Sequence, residues 1–352
     1  MRDELSAIEA VAPDFVGVVK KRYQVLQHID WLAPVGRRTL AEQLKLSERV
    51  IRTETDFLKA QGLLNSSKSG MVLTVKGQEV LDQLKQVMDQ FLGLRQTERE
   101  LSRYLGIEHC LIVSGNSDEQ PKVLTEMGKL VNSTLQLLLP QGQSVVAVMG
   151  GTTMAKAAHE LSTDLSKKRN LIFVPARGGI GESVDIQANA VCAEMASQTG
   201  GKHRALYVPE QVSEKTYAPL LEEPSVQEVL KLIERSRGVL HSIGEAITMA
   251  ERRDMPIETI KMLKEKHAVG EAFGYFFNAQ GEVVYKIPRI GLQIRDLLNI
   301  PCVLAVAGGT SKAQAIEAYM HLAPQQTWLI TDEGAANSIL QGQPFKIKIF
   351  IS

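Results

Sequence analysis

The sequence predicts a small winged helix-turn-helix domain followed by a larger α/β domain built on a Rossmann-like parallel sheet. Three observations lead to this fold class. The chain of 352 residues is long enough for two domains. Positive charge is concentrated near the N-terminus, and short apolar runs alternate with helical segments in the rest of the chain. We expect a DNA-binding domain over 1–76, a linker helix over 77–108 and a ligand-binding domain over 109–352.

The composition is that of a globular protein. Hydrophobic residues make up 44% and charged residues 23% of the chain, enough for packed cores without the bias of a disordered or collagen-like sequence. No apolar run is long enough to span a bilayer, and the acidic start does not resemble a signal peptide, so we expect a cytoplasmic protein without membrane contact. Cys110, Cys192 and Cys302 are far apart among apolar neighbours and are expected to be buried, with no metal site.

The net charge of zero conceals an asymmetry. Residues 15–76 contain eleven Lys and Arg against five Asp and Glu, which gives 11 − 5 = +6, so the rest of the chain carries −6. A basic module joined to an acidic body is typical of a protein that contacts DNA phosphates with one domain and senses a ligand with another. Chance clustering of surface charge is the alternative.

The basic segment has the pattern of a winged helix-turn-helix. Apolar residues at steps of three and four predict a first helix over 14–29. Thr39-Leu-Ala-Glu42 has the pattern of a capping box that starts a second helix, and Ser47 can cap a third, which would lie in a major groove. Residues 63–74 follow as strand, turn and strand, the wing. The expected DNA-contacting residues are Arg38, Ser47, Glu48, Arg49, Arg52, Thr53, Asp56, Lys59 and Lys68.

A long helical pattern then runs from Gly77 to about Leu105. Its apolar positions recur at three and four residues, which suits a connecting helix that pairs with a second copy of the chain. Packing of the same face on the chain's own α/β domain is an equal alternative. The apolar positions are Leu84, Val87, Phe91, Leu94, Leu101 and Leu105.

The remaining chain predicts a parallel sheet covered by helices on both faces. Short runs rich in β-branched residues and Leu alternate with helical stretches such as 121–139 and 311–321. Ligands of such sheets bind beyond the carboxyl ends of the strands. The predicted strands cover 110–113, 145–149, 171–174, 205–208, 239–243, 303–307 and 328–331.

Glycine-rich loops follow three of these strands. Gly150-Gly-Thr-Thr153 and Gly308-Gly-Thr-Ser-Lys312 each lead into a helix, so glycines, hydroxyls and free helical N–H groups would favour an anion, with Lys312 adding full charge. Neither loop fits the Walker or dinucleotide-binding pattern. A third loop holds Arg177, which could bind a phosphate or form a surface ion pair. Glu271, at an expected strand start, could bind a sugar hydroxyl or be a solvated carboxylate. Ordinary tight turns are the alternative for the two Gly-Gly-Thr loops.

The order of these motifs, from the winged helix-turn-helix through GGTT, RGG, AVGEAFGYFF and GGTSKAQAI, resembles the SorC family of bacterial sugar-responsive transcription regulators along essentially the whole chain. Tyr275 stands where many members carry arginine. The resemblance implies an effector domain with a sugar-phosphate isomerase and deaminase fold that binds a phosphorylated sugar, for the best-matching member fructose 1,6-bisphosphate. The expected effector-binding residues are Gly150, Gly151, Thr152, Thr153, Arg177, Gly178, Gly179, Gln187, Arg252, Glu271, Gly309, Thr310, Ser311 and Lys312.

The sequence motifs favour a regulator rather than an enzyme, and the resemblance implies a repressor of glycolytic genes. We expect it to bind a double-stranded DNA operator as a dimer, or as a tetramer on DNA, and to be released or remodelled by fructose 1,6-bisphosphate or a related phosphosugar. No cofactor is expected. The alternative is a sugar-phosphate isomerase or deaminase of similar fold, with Glu182 or Asp185 as a base.

Overall fold

The computed structural model describes residues 11–44, 46–91, 94–179, 183–209 and 213–342. Its internal contacts divide the chain into two compact units, residues 1–96 and 97–352. This division falls inside the predicted linker. Among the described residues, no helix is long and apolar enough to cross a membrane.

The first unit is a helix-turn-helix with a two-stranded wing. Its core contains Tyr23, Leu26, Leu40, Ile51 and Met71, all buried. Because these residues come from every helix of the motif and from the wing, the unit has a hydrophobic core of its own. Its elements are α1 (Pro13–Leu32), α2 (Arg37–Leu44), α3 (Glu48–Ala60), β1 (Leu64–Ser67), β2 (Gly70–Leu73) and α4 (Val75–Phe91), and α5 (Leu94–Leu105) continues into the second unit.

The wing is attached to the link between α1 and α2. Val35 and Met71 exchange backbone hydrogen bonds of 3.1 and 2.9 Å. Gly70 has φ +133°, and a Cβ there would lie 2.8 Å from the Val35 nitrogen, so the close approach requires glycine. This contact fixes the wing against the helix-turn-helix.

The predicted capping box at Thr39 is wrong. Helix α2 begins at Arg37, two residues earlier, and the Leu40 N–H donates to the Gly36 carbonyl at 3.1 Å. Thr39 is therefore inside the helix, and the Glu42 carboxylate accepts from Arg38 at 3.3 Å instead. The expected cap of α3 is confirmed, because Ser47 Oγ accepts from the Val50 N–H at 3.3 Å.

The long helical pattern forms two helices, α4 and α5. Leu81 and Met88 are part of the first unit's core, and Leu84 packs against it, so this part of the helical face packs inside the DNA-binding unit, which neither expectation named. The side chains of Val87 and Phe91 lie outside the described residues. Leu94 and Leu101 are buried.

The second unit contains a seven-stranded parallel sheet in the order β3-β13-β12-β7-β4-β5-β6. Strands β7 and β12 are buried at every residue, as continuous apolar runs in a sheet covered on both faces should be. The strands are β3 (His109–Val113), β4 (Gly142–Val148), β5 (Arg169–Pro175), β6 (Lys202–His203), β7 (Gly238–His241), β12 (Cys302–Val306) and β13 (Thr327–Asp332).

Helices cover this sheet, and short 3₁₀ turns lie at 163–166, 184–186, 294–299 and 310–312. The three cysteines are free and buried, as predicted, and burial raises the pKa of the Cys302 thiol to about 12. The helices are α6 (Lys122–Leu138), α7 (Thr152–His159), α8 (Ala188–Thr199), α9 (Glu214–Glu222), α10 (Pro224–Glu234), α11 (Ala246–Arg252), α12 (Ile257–Glu265), α13 (Ala313–Met320) and α14 (Glu333–Gln341).

The strand predicted at 205–208 is not formed. The Asn189 side chain accepts from the Leu206 N–H at 3.0 Å and donates to the Leu206 carbonyl at 3.2 Å. One amide therefore satisfies the backbone groups that a neighbouring strand would otherwise pair, while Leu206 and Val208 are buried all the same. The edge strand β6 forms earlier, beside β5.

A second, antiparallel sheet has the order β11-β10-β9-β8. Its own core includes Ala246, Ala250, Leu263, Phe276 and Ile287. A Cβ on Gly270 would lie 3.0 Å from the Cβ of Ala315, so β9 approaches α13 closely. The strands are β8 (Gly244–Glu245), β9 (Ala268–Ala272), β10 (Tyr275–Asn278) and β11 (Val283–Lys286).

Candidate functional site

The point where the chain reverses its direction across the parallel sheet lies between β4 and β7. From β4 the chain proceeds to β5 on one side, and from β7 it proceeds to β12 on the other. In open α/β sheets the crevice at such a point, beyond the carboxyl ends of the strands, is the usual ligand site. The loop that follows β4 is Gly150-Gly-Thr-Thr153, so the sequence motif and the topology identify the same place.

This first loop opens directly into α7 and leaves the start of the helix uncapped. Gly151 has φ +116° and precedes Thr152, and no side chain caps the first turn, whose N–H groups have no partners within the helix. A Cβ on Gly150 would lie 2.5 Å from the Ile186 carbonyl oxygen and 3.3 Å from the carbonyl carbon of Gln187. The backbone of Gln187, a predicted site residue, is thus adjacent to the loop.

One cationic side chain, Arg252, contacts the first loop, and a second, Lys312, lies within electrostatic range of Arg252. Arg252, the last residue of α11, donates to Thr152 Oγ1 at 3.3 Å. Burial lowers the pKa of Lys312, Asp118 and Asp332 oppose that effect, and the positive charge of Arg252 lowers the pKa further. Lys312 and Arg252 therefore lie close enough to repel each other. An anion at Thr152 would relieve this repulsion.

The second Gly-Gly-Thr loop follows β12 but is already bonded to the protein's own carboxylates. Asp332 accepts from the Gly309 N–H at 2.7 Å. Asp118 accepts from the N–H and the hydroxyl of Ser311 at 2.8 and 2.9 Å, and the Asn116 side chain contacts Thr310. The two loops share a sequence pattern and a strand-end position, but a phosphate at the second would have to displace these carboxylates.

Glu271 lies in a buried cluster of charges near Arg177, Arg253 and Arg289. Its Oε2 accepts from Arg253 at 3.1 Å and its Oε1 from the Gly274 N–H at 2.5 Å. Burial raises the pKa of this carboxyl, but Arg253, Arg177 and Arg289 together lower it below its usual value. Glu271 and Arg177 are 4% and 5% exposed, so Glu271 is not a solvated carboxylate and Arg177 does not form a surface ion pair.

Glu271 occupies the fourth position of β9, whereas the sequence predicts it at the start of a strand. The strand begins at Ala268 and ends where Phe273 and Gly274 turn the chain with positive φ. The backbone of this turn explains the contact, because it directs the Gly274 N–H towards the Glu271 carboxylate.

Two arginines of this cluster were missed by the sequence reasoning. Arg253 directly follows the predicted Arg252, so the Arg-Arg pair was an available signal. Arg289, in the segment after β11, belongs to no motif. It is 3% exposed, and burial together with the charge of Arg177 lowers the pKa of its guanidinium to about 9.

Two more predicted effector residues, Gly178 and Gly179, lie in the loop after β5. Gly178 donates to the Ile290 carbonyl at 3.3 Å, and a Cβ there would collide with Val208. A Cβ on Gly179 would lie 4.0 Å from the Ala188 nitrogen, an ordinary contact, and Thr153 is buried at the start of α7. Glu182 lies outside the described residues. Asp185 is exposed, and a hydrogen bond from Ser183 and the charge of Arg252 lower its pKa.

All nine residues predicted to contact DNA are exposed on the first unit. They lie on α2, on the outer face of α3 and, for Lys68, at the tip of the wing. Arg37 and Arg52 both pair with Asp56, at 2.6 and 3.8 Å. The opposite face of α3 is buried and includes Glu54, which Arg22 contacts at 2.9 Å. Helix α3 thus has one face in the core and a polar, partly basic face towards solvent.

Comparison with known proteins agrees with this division. Residues 18–88 match the family model of the CggR N-terminal DNA binding domain, and residues 89–341 match Sugar-bind, a model of a sugar-binding domain. The chain is 46% identical over 343 residues to the Central glycolytic genes regulator of Bacillus subtilis, covering 97% of this chain and 100% of the relative. A relative with the same name from Priestia megaterium is also 46% identical.

Solved structures give the same result. A SorC family transcriptional regulator from Enterococcus faecalis is 58% identical, with a TM-score of 0.67, over 70% of this chain and 99% of that one. The full-length sorbitol operon regulator SorC from Klebsiella pneumoniae shares the fold, with a TM-score of 0.62 at 15% identity over 87% of this chain and 94% of that one.

A DNA-binding winged helix-turn-helix joined to a sugar-binding α/β domain defines a transcriptional regulator that responds to a sugar. The chain belongs to the SorC family of such regulators. Its relatives are transcriptional regulators, and the chain is accordingly a regulator with a DNA operator and a sugar effector as its partners, not an isomerase or deaminase.

Proposed function

We propose that this protein represses glycolytic genes and that fructose 1,6-bisphosphate, or a closely related phosphosugar, releases it from its operator or remodels the complex. The identity to two regulators named for central glycolytic genes supports the gene class. The exposed basic face of α3 and the wing support the mode of DNA binding. No cofactor takes part in this proposal.

One observation carries the effector class: Arg252 contacts Thr152 at an uncapped helix start at the sheet's reversal point, and Lys312 lies within electrostatic range of Arg252. Free N–H groups, a hydroxyl and cationic side chains are the donors that a phosphate monoester needs, whereas a neutral sugar offers no charge to the cations. We therefore place one phosphate of the effector here.

The neighbouring arginines give a reason for a second phosphate. Arg252 contacts Thr152, and the next residue, Arg253, contacts Glu271 in the second cationic cluster. A ligand with two anionic ends can use both places, and a monophosphate only one. Each charge-assisted contact made by the bisphosphate alone is worth roughly 1.5 to 3 kcal/mol, so it should bind at least about tenfold more tightly than fructose 6-phosphate.

Calorimetry tests this with Thr152→Val and Lys312→Ala. Both variants should bind fructose 1,6-bisphosphate more weakly and keep full operator binding, because neither residue is in the DNA-binding unit. The exposed residues Thr163 and Lys261 give matched controls, Thr163→Val and Lys261→Ala, which should bind like the wild type. Equal affinity for the monophosphate and the bisphosphate, or no loss in either site variant, would contradict the proposal.

We also propose that the protein acts as a dimer, or as a tetramer on DNA. A helix-turn-helix reads one half-site, so a symmetric operator requires at least two copies of the motif.

A further inference from the structure

The guanidinium of Arg289 is buried without a hydrogen-bonding partner among the described residues. Its side chain is 3% exposed and lies over the turn between β9 and β10, where a Cβ on Gly274 would be 3.1 Å from its Cζ. Within the described part of the chain, none of its three guanidinium nitrogens has a hydrogen-bond partner. The Phe273 ring lies near it, with 5.9 Å between Cζ and the ring centroid.

A buried guanidinium without hydrogen-bond acceptors is unfavourable in a packed protein core. A buried guanidinium retains five N–H donors, and each donor without an acceptor loses its hydration with no replacement. Glu271 is the acid that acts on Arg289, but both of its oxygens already accept from other donors, Arg253 and the Gly274 N–H. Cation–π contact with Phe273 compensates only a small part of this loss. The unpaired N–H donors of the Arg289 guanidinium would suit an acceptor with several oxygens.

The backbone of the Arg289 segment joins it to the effector site. Leu292 donates to the Ala176 carbonyl at 2.7 Å, Gly178 donates to the Ile290 carbonyl, and Gly291 pairs with Arg177. Arg289 is thus held beside the loop that carries Arg177. It also acts electrostatically on Arg253, the residue next to the one that binds Thr152.

We propose that Arg289 binds the effector phosphate remote from Thr152 and Lys312, through the planar fork that guanidinium presents to phosphate oxygens. This rests on the proposed function. Because the guanidinium is closed off from solvent here, the phosphate reaches it when the side chains around it move apart. Binding of the second phosphate is therefore coupled to a local rearrangement, and a ligand that lacks this phosphate leaves the cluster closed.

The test uses the full chain and the variants Arg289→Met, Arg289→Lys and Arg295→Met. Arg295 lies nearby in the sequence, its side chain is 85% exposed, and it supplies a control for the loss of one positive charge. Calorimetry with fructose 1,6-bisphosphate and fructose 6-phosphate gives the affinities. Thermal unfolding without ligand gives the stability, and a gel shift without ligand gives operator binding.

Arg289→Met should lower the affinity for fructose 1,6-bisphosphate by about tenfold or more, because one charged contact is lost. Its affinity for fructose 6-phosphate should change far less. Its unfolding temperature without ligand should equal or exceed that of the wild type, because a buried charge has been removed. The affinity of Arg289→Lys for fructose 1,6-bisphosphate should lie between those of the wild type and Arg289→Met, since lysine keeps the positive charge but not the planar fork of the guanidinium. Arg295→Met should behave like the wild type in every measurement.

Unchanged bisphosphate affinity in Arg289→Met overturns the proposal, as does a lower unfolding temperature with the wild-type preference for the bisphosphate intact, since Arg289 would then be a structural residue. If Arg289→Met does not fold, Arg289→Lys is the test variant, and an affinity for fructose 1,6-bisphosphate equal to that of the wild type overturns the proposal too. Failure of the bisphosphate to bind the wild type would instead contradict the proposed function.

Discussion

His241 ends strand β7 beside the reversal point and is fully buried. Its Nε2 is 3.2 Å from the Tyr319 hydroxyl oxygen, its Nδ1 is 3.3 Å from the Ser242 carbonyl oxygen, and its ring contacts those of Phe273 and Tyr319. Burial lowers the pKa of His241 to about 4, against the opposing effects of the Ser242 carbonyl and the nearby Glu271. The imidazole is therefore neutral in the folded protein at neutral pH.

This gives a pH dependence with a definite sign. Between pH 6.5 and pH 4 the unfolded chain binds a proton at His241 that the folded chain does not, so stability falls as the pH falls through this window. From pH 7 to pH 5 the loss should be about 2 kcal/mol. Urea unfolding at both pH values measures it. His241→Gln should reduce the slope, and an identical slope in that variant would show that other groups cause the loss.

At the residue scale, sequence reasoning found the groups that sit in motifs. Thr152 and Lys312 belong to glycine-rich loops, and Arg252 came from the family resemblance. Arg289 could not be found this way, because its burial is created by a turn of the antiparallel sheet and by no pattern in its own neighbours. The carboxylates on the second loop were equally invisible, since Asp118 comes from a loop nearly two hundred residues away in the sequence.

At the scale of elements, we predict that helix α3 contacts the operator DNA, and a substitution on its exposed face tests this. The Arg52 side chain is 73% exposed, and its ion pair with Asp56, at 3.8 Å on the surface, adds little stability. Arg52→Ala should therefore keep the fold and weaken operator binding by about 1 to 3 kcal/mol if it contacts a base edge. A gel-shift titration at fixed salt measures this, with Arg295→Ala as the control. Unchanged binding would show that α3 is not the reading helix.

Elements were predictable where local pattern and tertiary context agree. The central strands are short apolar runs that the pattern identifies as buried strands, and Ser47 caps α3 by accepting from the Val50 N–H. The errors have causes outside the apolar pattern. Asn189 replaces a strand partner at Leu206, and the start of α2 is set at Gly36 and Arg37, before the expected cap. In the second sheet, β8 has two residues, too few to form a pattern.

For the whole molecule, assembly is the property to measure. Leu84 packs within its own unit, so the predicted helical seam is at least partly used inside the chain. The half-site argument still requires two copies of the motif. Sedimentation velocity at micromolar concentration should show a dimer or a larger species, both free and with operator DNA. A monomer under both conditions would contradict the proposed assembly.

The strand order would give the proposed effector a second role. Because the sheet reverses between β4 and β7, the residues around its crevice come from segments far apart in the sequence, with Thr152 after β4 and Lys312 after β12. If the proposed phosphate contacts both residues, it would act as a noncovalent cross-link that closes a chain loop spanning most of the ligand-binding unit. Ligand binding would then stabilise the folded unit, and its resistance to unfolding and proteolysis would follow the supply of sugar phosphate.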